Sequence, residues 1–154
     1  MRDRFRLRGE IELILKNKKG EVKKRVKIKN VITNVGKAQV AGLINGVVTS
    51  PFRYVAIGTG TTAPSASDTA LDNEIARKVG STSRATTNVT NDTAVVEATF
   101  SSADGLSGSS NVAEAGLFDA ASGGNMLARQ TFSAIPVNWD GGDTLTIRWR
   151  IIVS

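Results

Sequence analysis

Period-two alternation at both ends of the chain constrains the fold more than any other feature. Near the start, Phe5, Leu7, Ile11, Leu13 and Leu15 share one parity, with Gly9 the one gap. Arg4, Arg6, Arg8, Glu10, Glu12 and Lys16 hold the other parity. Near the end, Leu145, Ile147, Trp149, Ile151 and Val153 alternate with Thr144, Thr146, Arg148 and Arg150. A strand sends successive side chains to opposite faces, so each run reads as a strand with one buried face and one wet face. Trp149 is accordingly expected in the core. Asn17-Lys18-Lys19-Gly20 is a turn signal. The return run sets Val22, Val26 and Ile28 against Lys23, Arg25, Lys27 and Lys29, and Lys24 breaks the alternation, as at an edge or a bulge. Residues 4–29 therefore predict a long β-hairpin. Its outer face would carry Arg4, Arg6, Arg8, Lys23, Arg25, Lys27 and Lys29 as one positive surface.

One helix is expected next. Thr33 or Asn34 can cap it, and Val35, Ala38, Ala41 and Ile44 recur at helical spacing with Leu43 beside them. Asn45-Gly46 ends it. Gly36 and Gly42 weaken such a helix in isolation, so packing close against a sheet must hold it. Beyond it, strands are expected over 52–57, 77–89, 93–100, 112–118, 126–132 and the final alternating run. Between them lie a loop at 61–68 with Pro64, a helical turn or bend at 69–75, and a mobile Ser/Gly-rich stretch at 101–111. Trp139, beside Asp140-Gly141, is expected to be a contact or lid residue in a polar loop.

Short strands every 8–12 residues with turn signals between them indicate an all-β chain, mainly an antiparallel β-sandwich, with one short α-helix and the N-terminal β-hairpin. The 154 residues suffice for one domain with a real core. Charge divides the chain. Residues 1–29 hold twelve Lys and Arg against four Asp and Glu, and residues 30–154 hold eight against ten. The expected organisation is a basic hairpin arm over 1–29 and a sandwich over 30–154. No run is long and apolar enough for a membrane span. The charged start, from Met1 to Arg4, gives no apolar signal-peptide core, so synthesis in the host cytoplasm is expected.

The absence of Cys and His excludes disulfide frameworks, zinc sites of the usual ligands, thiol nucleophiles and Ser-His-Asp triads. Gly58-Thr59-Gly60 resembles a phosphate cradle. Thr61-Thr62-Ala63-Pro64 follows it instead of a third glycine and a helix, so it reads as a strand-ending turn. The carboxylate pairs Asp72 with Glu74, Glu97 with Glu114, and Asp140 with Asp143 have no catalytic setting. The Asp140–Asp143 segment also lacks the oxygen-ligand spacing of a calcium loop. No metal, cofactor or catalytic residue is expected. Glu114, between Ala113 and Ala115, reads as a structural carboxylate needing a partner, which Arg77 or Arg129 can supply. The basic hairpin lacks the interleaved aromatics of single-strand binders. It is expected to contact an acidic protein surface, and nucleic acid is not the expected partner.

Tyr54-Val55-Ala56-Ile57-Gly58-Thr59-Gly60 begins an ordered series of short motifs. It continues through Pro64, Asp68-Thr69-Ala70-Leu71, Glu74, Arg77, Glu114-Ala115-Gly116-Leu117-Phe118-Asp119-Ala120 and Gly124-Asn125-Met126-Leu127-Ala128-Arg129 to Phe132. With Asn30–Gly36 as lead-in, the series resembles structural proteins of tailed-bacteriophage virions, and most closely the attachment domains of tail-collar and tail-fibre proteins. The resemblance implies a non-enzymatic virion protein that docks on other virion proteins as an oligomer, most simply a homotrimer. Fibres that use such a module continue into shafts and tips. The stop at Ser154 therefore sets the expectation of a compact capsid decoration protein, with a tail-fibre or baseplate attachment module as the alternative and a basic nucleic-acid-binding module as a further one.

Overall fold

A computed structural model describes residues 4–154; Met1, Arg2 and Asp3 of the expected arm lie outside the described residues. Nine strands and one helix follow in order: β1 (Leu7–Lys16), β2 (Val22–Ile32), α1 (Asn34–Asn45), β3 (Tyr54–Gly58), β4 (Glu74–Val79), β5 (Ser81–Ala85), β6 (Thr93–Phe100), β7 (Ser109–Phe118), β8 (Met126–Asn138) and β9 (Thr144–Val153). They form one antiparallel sheet in the order β4-β3-β7-β8-β2-β1-β9-β6-β5. The sheet folds over on itself, so that its two halves share one core. The all-β sandwich with one helix is thus the observed architecture, in a nearly closed form.

Two segments make the fold-over. The body of β2 pairs with β1, from Lys16↔Val22 to Gly9↔Asn30, and its last two residues pair instead with Arg129 and Ala128 of β8. β4 and β5 lie at opposite ends of the strand order, yet Gly80 alone separates them in sequence. The single strand expected over 77–89 is therefore two strands turning a corner at Gly80. A Cβ there would lie 2.7 Å from Val96 Cγ1 and 2.9 Å from the Glu97 carbonyl oxygen, so only glycine lets the backbone pass. The Gly80 N–H donates to the Arg53 carbonyl at 2.7 Å.

The alternating terminal strands meet as their pattern demands. β1 pairs with β9 from Leu7↔Val153 to Lys16↔Thr144, which sets Ile11 beside Trp149 and Leu13 beside Ile147. These four side chains are fully buried. β1 thus has a partner on each edge, and the basic hairpin is built into the sheet. α1 begins where Thr33 caps it, accepting the Gly36 N–H at 2.9 Å, and ends at Gly46 in the left-handed conformation. A Cβ on Gly36 would sit 2.7 Å from the Leu127 Cα, so this glycine lets the helix lie against β8.

Two further expectations change. Trp139 is buried, with Nε1 donating to Ser110 Oγ at 2.9 Å, because β8 runs on to Asn138 and places Ile135, Val137 and Trp139 inward. Pro136 is tolerated there because β8 has a ladder partner on one side only along that stretch. The 101–111 stretch is structured: Ser101 and Asp104 form a capping box on a short 3-10 turn (Ser102–Asp104), and Lys78 holds Asp104 at 2.8 Å. Of the helical turn or bend expected at 69–75, the bend is observed, at Ala70 and at Asp72–Asn73, before β4 begins at Glu74.

Trp149 is completely buried and its Nε1 has no hydrogen-bond partner. Trp149→Ala is expected to cost about 3–5 kcal/mol. Trp149→Phe removes the orphaned N–H with less volume and is expected to cost less than about 2 kcal/mol. Urea unfolding measures both; an unchanged midpoint for the alanine variant would contradict the observed parity of β9.

Candidate functional site

β7 is buried on both faces from Val112 to Phe118. Ala115 and Leu117 point into the main core, whereas Phe118 belongs to a second, small cluster with Ala56, Leu71 and Met126. What covers this outer face is the long connection between β3 and β4, residues 59–73. It is held by Glu114, which is fully buried. Glu114 Oε2 accepts the Gly60 and Asn73 N–H groups, each at 2.8 Å, and Oε1 accepts the Asp72 N–H at 2.9 Å. Arg129 lies diagonally across on β8, because Gly116 pairs with Arg129 and Glu114 with Thr131. Its Nε and Nη2 reach Glu114 Oε1 at 3.3 and 3.1 Å.

The other donors of Arg129 also go to the connection. Nη1 donates to Asp68 Oδ2 at 2.9 Å and Nη2 to the Thr62 carbonyl at 3.0 Å, with Asp72 Oδ2 at 3.3 Å. Burial alone would lower the Arg129 pKa; its hydrogen bonds to Asp68 and Glu114 outweigh that and raise it. A buried charge is tolerable when it is paired and fully hydrogen-bonded, and this carboxylate accepts from five N–H groups. The glycines follow from the same approach. A Cβ on Gly58 would lie 2.6 Å from Glu114 Oε2, and one on Gly116 would lie 2.8 Å from the Phe118 ring. Arg77, the other partner open to Glu114 from sequence, stands 3.7 Å over the Phe118 ring and donates to Glu74 and to the Ala120 and Gly123 carbonyls. Several of the residues that carry the resemblance, Gly58, Gly60, Asp68, Glu114 and Arg129, thus converge on one clamp. Its chemistry is structural, since the carboxylate is saturated with donors and closed to solvent.

The seven expected docking cations are distributed differently. Arg25, Lys27 and Lys29 lie on the outer face of β2, but Glu10 and Glu12 of β1 stand beside them. Lys27 approaches Glu10 at 3.6 Å and Arg25 approaches Glu12 at 3.7 Å. Arg148 of β9 continues the row, contacting Glu12 at 3.1 Å and Glu97 of β6 at 2.8 Å. Its pKa is raised by the Glu97 hydrogen bond. The middle of the face is therefore a ladder of alternating charges, which offsets the repulsion that a uniformly positive face would carry. Lys23 falls in the bulge between Leu15↔Lys24 and Lys16↔Val22, and it pairs with Asp143 at 3.0 Å. Burial alone would raise the Asp143 pKa; the Asn138 N–H and Lys23 outweigh it and lower it. Arg4, Arg6, Arg8 and Lys29 have no carboxylate partner among the described residues.

The carboxylate pairs do not assemble into a reactive site. Glu97 lies on the β6 face with Arg148, away from Glu114. Asp143 is engaged by Lys23, and Asp140 is exposed. Among the described residues no three acidic side chains gather as a metal site. Asp68 and Asp72 were not legible as parts of the clamp, because Asp72 contributes chiefly its backbone N–H and Asp68 arrives by the course of the connection.

Residues 31–152 match the protein-family model described as podophage GP4 fiber I protein gp80. No curated protein matches the sequence, and no solved structure matches it. The matched span contains every residue of the clamp.

Removing one partner of a buried ion pair strands the other, at a cost of about 3–5 kcal/mol. Arg129→Met and Glu114→Leu are each expected to destabilise by that order, and the double variant by clearly less than their sum. Chemical denaturation of the three variants measures this; strict additivity would show that the two side chains are not coupled.

Proposed function

This chain belongs to the podophage GP4 fiber I protein gp80 family, and on that premise we propose that it is a non-enzymatic, tail-fibre-type attachment module of a tailed-phage virion. The family is one of phage fibre proteins, so a structural role in a phage particle is the coarser statement. Placement on the tail rather than on the capsid is the finer one, and the observation that carries it is the fibre family's match over 31–152. The capsid-decoration reading rested on the stop at Ser154, a weaker argument than membership of a fibre family.

The architecture suits such a role. A nearly closed sandwich, with its longest connection riveted to the sheet by Glu114 and Arg129, presents a fixed surface to its neighbours. No helix among the described residues is long and apolar enough to cross a membrane. Docking to other virion proteins would use the end of the sheet where Arg4, Arg6, Arg8 and Lys29 stand without carboxylate partners. Opposite charges across such a contact steer association and set register. Closed rotational symmetry would satisfy the interfaces between copies, and a homotrimer is the form that the resemblance to phage fibres implies.

A particle reconstruction tests location and stoichiometry together. The expected result is density for this chain on the tail, in three copies around a threefold axis. Density on capsid faces would overturn the tail placement, and a solitary copy would overturn the trimer.

A further inference from the structure

Three adjoining cavities run alongside α1. The first, about 400 Å³, opens into the sandwich between α1, β5 and β6, and Leu117, Leu127 and Ile151 line its floor. The second, about 660 Å³, lies between α1 and the residues leading into β1, bounded by Phe5, Arg8, Lys37 and Ile44. The third, about 320 Å³, continues toward Lys29 and Asn30. Leu7 lines all three, Val40 links the first two, and Arg8 and Lys37 link the last two. Together they make one groove, apolar at one end and, at the other, lined by the cations Arg8, Lys29 and Lys37 against one carboxylate, Glu10, which Lys27 approaches at 3.6 Å.

The groove is unfilled by the described chain, and its lip is apolar. Phe5 is 61% exposed and Ile44 73%, although side chains of this size are ordinarily covered. Arg6, Arg8, Lys37 and Arg53 line the first two cavities with no carboxylate among the lining residues. None of the four forms an ion pair among the described residues. At the cationic end Asn30 Oδ1 is buried without a hydrogen-bond partner.

We propose that this groove is the docking site for an acidic, amphipathic segment of another virion protein, with apolar side chains seated over Leu117 and Leu127 and carboxylates against Arg8 and Lys37. Charge complementarity selects this occupant. A second copy would bring the same cations to a chain of net charge +6, and one exposed aromatic on the lining, Phe5, gives no run of platforms on which successive bases could stack. The inference rests on the attachment-module reading and adds the partner's chemistry and its polarity along the groove.

The test places a photo-crosslinking amino acid at Ile44 or at Phe5 in otherwise wild-type protein carried by purified particles. Crosslinks are expected to a different virion protein, at a segment with carboxylates next to apolar residues. Crosslinks to a second copy, to nucleic acid or to a segment without carboxylates would overturn the proposal, as would their absence from particles that contain the protein. Protein missing from the particles altogether would instead overturn the attachment reading, so the two failures are distinguishable. Alongside it, Arg8→Glu combined with Lys37→Glu is expected to lower loading onto particles assembled without this protein at least tenfold at low salt, with the melting temperature unchanged. Lys18→Glu with Lys19→Glu, in the β1–β2 turn, is expected to load as wild type. Equal loading by both double variants would also overturn it.

Discussion

The buried Glu114–Arg129 pair is the interaction on which the rest of the β3–β7–β8 half depends. Without it, the fifteen residues between β3 and β4 (59–73) would lie over the sheet with little apolar surface to hold them, Leu71 being their one buried aliphatic side chain. The carboxylate gathers three of their N–H groups, and the guanidinium gathers a carbonyl and a carboxylate. Long connections carry much backbone entropy, and a saturated polar network offsets it by pinning both halves of the connection. The small cluster of Ala56, Leu71, Phe118 and Met126 is then sealed, and β7 becomes a strand buried on both faces.

Closure of the sheet is the complementary constraint. An open antiparallel sheet leaves edges that invite pairing with other chains. Here the two ends of the strand order are joined through Gly80, and β2 passes from one half to the other. The edge strand β5 is short, five residues, and largely polar, Ser81–Ala85. The middle of the outer face of β2, β1, β9 and β6 is neutralised row by row, Lys27 by Glu10, and Arg25 and Arg148 by Glu12 and Glu97. Cations without an ion pair among the described residues remain at both ends, Lys16, Lys18, Lys19 and Lys24 at the β1–β2 turn and Arg8, Lys29 and Lys37 at the α1 end, and the latter adjoin the exposed apolar groove. The fold thereby sets a rigid body apart from one adhesive end, which suits a part held in a larger assembly.

The fold was largely legible where one periodicity ruled. β1, β9 and the Thr33-capped helix follow from alternation and capping chemistry within a few residues. Legibility failed where a residue acted against its usual habit. The strand expected over 126–132 omits the second half of β8, which runs on past Pro136 to Asn138, so Trp139 was placed in a loop. Gly80 read as one more residue of a polar strand and hid the corner that closes the sheet. The clamp was half legible: a glutamate among alanines had to be buried and paired, but the choice of Arg129 over Arg77 depends on the register of β7 against β8. The charge ladder was missed because Glu10 and Glu12, on the same parity as the cations, were not weighed against them. The groove beside α1 was invisible, since it arises from elements distant in sequence.

Native-state amide hydrogen exchange at Gly60, Asp72 and Asn73 tests the central claim most directly. These three N–H groups lie in a surface connection outside any strand, and all three donate to Glu114. If the buried pair organises this half of the molecule, they exchange as slowly as core amides of β7, through global unfolding. Exchange at the rates of unprotected amides would show that the connection opens independently and contradict the account.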